Sequence, residues 1–454
     1  MLQNKWFRSM VFFLFALNFF LFYPPTTGIV DESAYLTMAY TFQKFKLAYD
    51  EAGIFSAPAS VIADHRLISR YPPGNSLLLL PFTILNWRFS FLRGFILMVV
   101  GFITMILILN HYRLPRDYAF LFLLHPSFIL YSRTLMSDLP ATIIGLLGLL
   151  FFIKKIYFLA GLIFGLAIGI RYPMVLIPFS LLLFLGFKKK FCSSGQFLLG
   201  GVLGVLPLLL YHLLIANSLT GPAGASMIGF SLRHIPVMFP QFFIFLNILY
   251  PLMFIFSLQS RLSEKWLFLT PAIVFILFFS LQYYMDTGEN FLETLIRAQR
   301  YLLPVIPFLL IPYSEVLIRI KFPRSLLAIL VLFLLAGDVA ISYQHQKFLN
   351  QQRYEQEKLY EYVNDAEILL CNKEVYELVN PFIKPIKWQS FEDRGNLQDI
   401  DIPVSPAKLY LACRTRDVHI KYLFQQFLAR FFKKEEVFRE ETSFYYFAIW
   451  RVDY

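Results

Sequence analysis

Two adjacent carboxylates, Asp31 and Glu32, follow the first long apolar segment of the chain. Acids at the end of such a segment can act as general bases, although a solvated loop start is the ordinary alternative. On a helix, neighbouring residues point about 100° apart, so we expect Asp31 and Glu32 to have different roles. Asp31 and Tyr35 are four residues apart and would share one helix face.

A second motif is the run Arg70-Tyr71-Pro72-Pro73-Gly74. Its prolines favour extended backbone and its glycine allows a tight turn. The motif would therefore present Arg70 and Tyr71 close to a membrane face. The alternative is a simple turn, with the Arg70 side chain reaching lipid headgroups.

A third acid, Asp138, follows Ser137 at the start of another apolar segment. It could serve as a helix N-cap, since a proline comes two residues later. A carboxylate at a membrane segment is nevertheless costly unless it faces a wet cavity or a cation. Asp138 is therefore a candidate for contact with a wet cavity or a cation, in addition to its capping role.

Several arginines lie beside predicted membrane segments. Each could be an interfacial anchor, but together they would place guanidinium groups on one face, where they could bind phosphate in bidentate fashion. These residues are Arg133, Arg171, Arg297 and Arg300, the last followed by Tyr301.

The composition determines which elements hold these residues. The chain has 454 residues, of which 57% are hydrophobic and 16% charged, and its mean hydropathy is +0.58. Long apolar runs exclude a water-soluble fold, a disordered chain and an outer-membrane barrel, and predict an all-α polytopic domain of about 11–13 transmembrane helices. We predict spans at 9–25, 94–110, 117–132, 135–153, 156–171, 173–187, 196–216, 238–258, 266–284, 301–318 and 325–343. A half-length run at 75–87 is either a re-entrant or interfacial piece or a twelfth helix.

Charge predicts the orientation. Residues 345–454 contain 16 basic and 17 acidic residues, so the basic excess of the net +11 lies in residues 1–344. If residues 75–93 make no net crossing, the excess concentrates in loops on the same side of the membrane as the N-terminus. This indicates a cytoplasmic N-terminus in a plasma (inner) membrane, contact with anionic lipid, and no nucleic-acid partner. We predict a membrane domain over 1–344, with a first external loop at 26–76, and an extracytoplasmic domain over 345–454. The first 25 residues could alternatively be a signal peptide.

In the tail, short apolar, strand-like runs at 368–370, 409–412 and 445–449 alternate with helix-like runs, which predicts a small α/β domain. Cys371 and Cys413 each follow such an apolar run. If the tail faces an oxidising compartment, these two residues could form a disulfide.

In their order along the chain, several of these motifs resemble the GT-C-fold integral-membrane glycosyltransferases. The similarity covers roughly residues 1–315 and is greatest to protein mannosyltransferases and lipid A aminoarabinose transferases. The motifs are Asp31-Glu32, Tyr71-Pro72-Pro73-Gly74, Ser137-Asp138, Gly169-Ile170-Arg171 and Arg300-Tyr301.

This resemblance implies transfer of a sugar from a polyprenyl-phosphate carrier to a glycan, lipid or protein acceptor on the outer face of the membrane. It implies Asp31 at the catalytic centre with Glu32 beside it, and Asp138 in the same site. The aminoarabinose transferases have a lysine directly before the proline of the external loop, where this chain has Tyr71. The carrier phosphate would then be bound by Arg70, or by Arg297 or Arg300 instead.

The residues agree with this chemistry. A polyprenyl phosphate leaves as an anion, so one base for the acceptor, Asp31, suffices for an inverting transfer, with cations to stabilise the phosphate. Asp31, Glu32 and Asp138 could also bind a divalent cation, Mg²⁺ or Mn²⁺. The competing interpretation is a secondary transporter or lipid flippase, but such proteins commonly place charges at mid-membrane on broken helices.

Overall fold

The computed structural model describes residues 5–51, 59–63, 66–221, 229–283, 291–321, 323–366, 368–384, 386–390, 409–429, 431, 433–442 and 445–453. Helices make up the N-terminal three quarters, and a sheet forms near the C-terminus. This confirms the predicted all-α membrane domain with a small C-terminal α/β domain. The helices are α1 (Lys5–Leu21), α2 (Val30–Gln43), α3 (Gly74–Leu85), α4 (Leu92–His111), α5 (Phe120–Leu123), α6 (Pro126–Ser132), α7 (Asp138–Ile153), α8 (Tyr157–Ile168), α9 (Leu176–Phe187), α10 (Phe191–Ala216), α11 (Ile235–Ile248), α12 (Met253–Leu258), α13 (Lys265–Phe279), α14 (Phe291–Ala298), α15 (Ile306–Arg319), α16 (Arg324–Tyr362) and α17 (Val418–Leu428).

Within the described part of the chain, four helical segments are long and apolar enough to cross a membrane, and seven apolar helices are shorter. The long segments are Trp87–His111, Phe191–Ala216, Glu293–Arg319 and Ser325–Tyr362. The half-length run becomes α3, which has only 12 residues. The span predicted at 117–132 is instead two short helices, α5 and α6, because Pro126 cannot donate the backbone hydrogen bond that a continuous helix needs.

Two helices of the membrane domain, α8 and α10, pack in close contact. Helices α8 and α10 approach so closely that a side chain at Gly161 or Gly165 would clash with the α10 backbone, and one at Gly200 or Gly204 with the α8 backbone. Small residues let two apolar helices pack closely in a lipid environment, where the hydrophobic effect no longer drives their association.

Helix α16 links the two parts of the chain. It has 39 residues, apolar in its first half and polar in its second. The boundary predicted at 345 falls inside this continuous helix, and where a domain boundary lies stays a prediction.

The strands are β1 (Asp50–Glu51), β2 (Ser60–Ala63), β3 (Arg66–Ser69), β4 (Ile368–Cys371), β5 (Lys387–Ser390), β6 (Leu409–Thr415), β7 (Lys433–Thr442) and β8 (Tyr445–Asp453). Among them, β4 to β8 form the C-terminal sheet in the order β5-β4-β6-β8-β7. Strand β4 is parallel to β5 and β6, and β8 is antiparallel to β6 and β7. A second, three-stranded antiparallel sheet, in the order β1-β3-β2, lies between α2 and α3.

The predicted disulfide is wrong. The structure contains Cys371 and Cys413 as thiols. Cys371 pairs in register with Ala412, so Cys413 points to the other face of the sheet, and the two cysteines belong to separate apolar clusters. Successive strand residues alternate between faces, which a sequence without register cannot reveal.

Candidate active site

The start of α2 holds Glu32 by its backbone. One Glu32 carboxylate oxygen accepts hydrogen bonds from the Gly28 and Ile29 N–H groups at 2.6 and 3.3 Å, and the other accepts from the Leu135 N–H at 2.6 Å. The side chain is buried, and burial raises the pKa of Glu32 to about 7 despite these donors. Glu32 therefore caps α2 and ties it to the loop that precedes α7.

Asp31, one residue earlier, points elsewhere and makes side-chain contacts. Its Oδ1 accepts a hydrogen bond from the Tyr71 hydroxyl at 2.5 Å, and its Oδ2 lies 2.9 Å from Nη2 of Arg300. Burial, and to a smaller extent the nearby Asp31 charge, raises the pKa of Tyr71. The hydroxyl therefore stays protonated and donates a hydrogen bond to Asp31. The predicted divergence of Asp31 and Glu32 is thus seen in their contacts.

Arg300 joins the two predicted acids. Its Nε lies 3.3 Å from Oδ2 of Asp138, while its Nη2 contacts Asp31. Asp138 is fully buried at the start of α7, and its other oxygen contacts Arg171. The result is an alternating series of Asp31, Arg300, Asp138 and Arg171, in which each acid contacts a guanidinium group. We call these four side chains the charged network.

Two loops position this network through one close approach. The Gly74 N–H donates a hydrogen bond to the Gly169 carbonyl at 2.8 Å, and a β-carbon at residue 74 would clash with that same carbonyl. The contact brings the Tyr71–Gly74 turn against the Gly169–Arg171 loop. Two motifs almost a hundred residues apart therefore form one wall of the site.

Aromatic rings surround the network. The rings of Tyr35 and Tyr71 lie 5.0 Å apart, and the Tyr35 hydroxyl donates to Ser137 Oγ at 2.9 Å. The guanidinium carbons of Arg171 and Arg300 each lie 5.7 Å from the centre of the Tyr301 ring. An aromatic face stabilises a nearby cation, so Tyr301 helps to hold both arginines together.

Arg70 and Arg297 lie at the edges of this arrangement. Arg70 is exposed, with its guanidinium 5.4 Å from the Tyr71 ring centre. Arg297 pairs with Glu293 at 2.7 Å, yet its buried Nε has no hydrogen-bond partner within the described part of the chain. The Arg70 guanidinium thus lies beside a residue that contacts the network, whereas the Arg297 guanidinium is held by Glu293.

Arg133 is held away from the network. It is buried, and its donors bond to the Phe22 carbonyl, the Ser342 carbonyl at 2.8 Å and Gln346 Oε1 at 2.8 Å. These contacts tie the end of α1 to α16. The geometry gives Arg133 a structural role, and its predicted contact with substrate has no support from these bonds.

A cavity of about 240 Å³ opens beside Asp31 and Arg300. Both signs of charge line it, which suits a ligand that carries an anionic group and hydrogen-bond donors. The lining residues are Gly28, Ile29, Val30, Asp31, Glu32, Leu130, Tyr131, Thr134, Met136, Arg297, Arg300, His345, Phe348 and Glu377.

Sequence reasoning missed several of the residues that build this site. Arg93, inside an apolar span, donates to Asn75 Oδ1 at 2.5 Å and to the Met136 carbonyl at 3.2 Å, and Asn75 donates to the Leu135 carbonyl at 2.9 Å. These bonds fix the loop before Asp138. The available signal was an arginine at the start of a long apolar run, directly before the span predicted at 94–110. His345 and Glu377 lie far along the chain and gave no signal.

The carboxylates do not fit a divalent cation. Among the described residues, no group of three or more His, Cys, Asp or Glu side chains could hold a metal ion. Asp31 and Asp138 contact arginines, and Glu32 accepts backbone N–H groups. These arginine and backbone N–H partners already occupy the carboxylate oxygens that a Mg²⁺ or Mn²⁺ ion would need.

Comparisons with known proteins identify the fold. No family model matches the chain, and no curated protein matches it in sequence. Two crystal structures of ArnT from Cupriavidus metallidurans match it at 12% sequence identity, each over 98% of this chain and 97% of that one. The apo structure gives a TM-score of 0.67, and the structure bound to undecaprenyl phosphate gives 0.62. The chain therefore has the fold of ArnT over nearly its whole length, as the GT-C resemblance implied.

Proposed function

We propose that this protein is a glycosyltransferase that takes a sugar from a polyprenyl-phosphate carrier and transfers it to an acceptor at the outer face of the membrane. The observation that carries the proposal is the charged network, which lies beside a cavity. The fold supports it, because ArnT is a lipid A aminoarabinose transferase that has been solved with undecaprenyl phosphate.

The proposed reaction needs one base and several cations. An acceptor hydroxyl or amine attacks the anomeric carbon, and Asp31 takes its proton. The bond between that carbon and the phosphate oxygen breaks, and its electron pair leaves with the polyprenyl phosphate. Direct attack opposite the leaving group inverts the anomeric configuration. The leaving group is already a stable anion, so no second acid is required to protonate it.

Arg300 is the residue best placed to couple donor binding to the base. It contacts Asp31 at 2.9 Å and Asp138 at 3.3 Å, and it lines the cavity. A donor phosphate in the cavity would compete with Asp31 for this guanidinium. Its arrival would loosen the Asp31–Arg300 pair and leave the carboxylate available for the acceptor proton, while Asp138 and Tyr301 keep Arg300 in place.

Charge development on the phosphate also requires stabilisation. Arg297 and Arg300 both line the cavity, whereas Arg70 lies beside Tyr71 and does not line it. A fixed guanidinium favours the transition state, in which negative charge grows on the phosphate oxygens. We assign phosphate contact first to Arg300 and Arg297, with Arg70 at the periphery.

The location of the site agrees with a lipid-linked donor. Because a polyprenyl chain stays in the bilayer, the active site has to lie at the membrane surface, where the apolar helices end. The distribution of basic residues supports a cytoplasmic N-terminus, with the C-terminal domain outside. Asp31 lies ten residues beyond the end of α1, in the first turn of α2, which suits a site at the outer interface.

The test is a transfer assay in proteoliposomes. Purified protein is given undecaprenyl phosphate carrying a radiolabelled sugar, together with an extract of membrane lipids and glycans from the source organism. We expect the label to move into an extract component, with release of undecaprenyl phosphate. If the labelled lipid only crosses the bilayer and no labelled product forms over a panel of sugars, the protein is a transporter or flippase and the proposal is wrong.

A further inference from the structure

The C-terminal domain contributes a side chain to the cavity. The short helical turn Lys373–Leu378 packs against α2, where Ser33 Oγ donates to the Glu377 carbonyl at 3.3 Å. Glu377 lines the same cavity as Asp31 and Arg300. The site is therefore incomplete without the C-terminal domain.

Arg414 holds the Glu377 carboxylate in place, but Arg414 also has a second acidic partner. Arg414 Nη1 lies 3.0 Å from Glu377 Oε2, and Arg414 Nε lies 2.7 Å from Glu355 Oε2. The Glu355 side chain is only 1% exposed, whereas that of Glu377 is 24% exposed. Since buried Glu355 already balances the charge of Arg414, the ionised form of Glu377 adds a surplus negative charge at the cavity wall.

Two other polar groups that belong to cavity-lining residues could bond to a ligand. His345 Nδ1 and Arg297 Nε are buried, and neither has a hydrogen-bond partner among the residues that the structure describes. His345 itself is only 8% exposed. Buried polar atoms are normally paired, so these two are expected to find partners when the cavity is occupied.

The cavity wall has two chemically different parts. Arg297 and Arg300 suit an anion, which the proposed function assigns to the donor phosphate. A carboxylate suits a group that donates hydrogen bonds, such as a hydroxyl or an ammonium group. We propose that Glu377 binds a hydroxyl or ammonium group of the acceptor and thereby makes the C-terminal domain the acceptor-recognition part of the site; this inference rests on the proposed function.

The protonation of Glu377 gives the inference a second readout. Burial raises the pKa of Glu377 to about 7, and Arg414 opposes this effect. The carboxylate form would therefore be lost just below neutral pH. The other charged or titratable groups around it are Arg414, Glu355, Glu374, Asp31, Glu32, Arg297, Arg300 and His345.

The experiment compares Glu377→Gln with Glu374→Gln in the full-length protein. Glu374 lies on the same helical turn and accepts a hydrogen bond from Thr415 Oγ1 at 3.3 Å, but it does not line the cavity. The acceptor probe is the extract fraction that the wild-type protein labels, used in serial dilution. We expect Glu377→Gln to raise the apparent KM for this fraction about tenfold, the scale of a lost hydrogen bond to a charged group, with the donor KM unchanged. Glu374→Gln should match the wild type.

Three outcomes would overturn the inference. One is a wild-type acceptor KM in Glu377→Gln, and another is an equal rise in Glu374→Gln. If Glu377→Gln does not fold, Glu377→Asp keeps the charge but withdraws it from the cavity, and an unchanged acceptor KM in that variant is the third. A wild-type protein that labels no extract component refutes the proposed function itself, which separates that failure from the failure of this inference.

Discussion

Exchanging the two neighbouring acids for their amides should separate catalysis from folding. Asp31→Asn keeps the size of the side chain and an oxygen that can accept from Tyr71, while Arg300 keeps its contact with Asp138. We therefore expect a folded protein. Because Asn cannot take the acceptor proton, transfer should fall by at least about 100-fold, equivalent to about 2.7 kcal/mol of barrier.

Glu32→Gln, in contrast, should lower the stability of the protein and affect transfer much less. Both Glu32 oxygens accept backbone N–H groups, so whichever position the amide NH₂ takes, it faces another donor. A lost hydrogen bond to a charged group costs about 1.5–3 kcal/mol. An amide also avoids the cost of burying a charge, so we expect a net destabilisation of about 2 kcal/mol. Transfer per folded molecule should fall less than about tenfold.

The assay measures both quantities on each variant. Sugar transfer is followed with saturating labelled donor in proteoliposomes, and the free energy of unfolding is obtained by denaturant titration in detergent. Near-normal transfer by a well-folded Asp31→Asn protein would refute the assignment of the base. A larger loss of transfer in Glu32→Gln than in Asp31→Asn, at equal stability, would show that Glu32 takes the proton instead.

Three further predictions concern the scaffold and the acceptor side. Asp138→Asn leaves two guanidinium groups, those of Arg171 and Arg300, without their shared counter-charge, so the free energy of unfolding should fall by about 3–5 kcal/mol, and a stability equal to the wild type would contradict the charged network. Gly74→Ala should abolish transfer by pushing the Tyr71 turn away from its neighbouring loop, while Gly186→Ala, where a β-carbon meets open space, should have no effect in the same assay. Since the Glu377 carboxylate is protonated below its pKa of about 7, the acceptor KM should rise as pH falls from about 8 to 6, and a profile that Glu377→Gln leaves unchanged would exclude this titration as its source.

Much of the fold could be predicted from local patterns. Apolar runs flanked by charges predict membrane helices because the bilayer requires about 20 apolar residues with satisfied backbones. The runs at 368–370, 409–412 and 445–449 correctly predicted strands β4, β6 and β8. The broken span at 117–132 was missed because composition measures hydrophobicity and does not register where a proline interrupts the hydrogen bonding.

The sequence by itself determined the kinds of residue at the site. Acids and arginines beside apolar spans cost free energy in a membrane, so their presence indicates a function. Only the tertiary structure decided their partners. It placed Arg300 between Asp31 and Asp138, turned Glu32 toward backbone donors, and held Arg133 between α1 and α16. It also brought Glu377 to the cavity from a separate domain. The physical reason is that side-chain direction depends on helix phase, strand register and loop packing, which are set by contacts between residues distant in the chain.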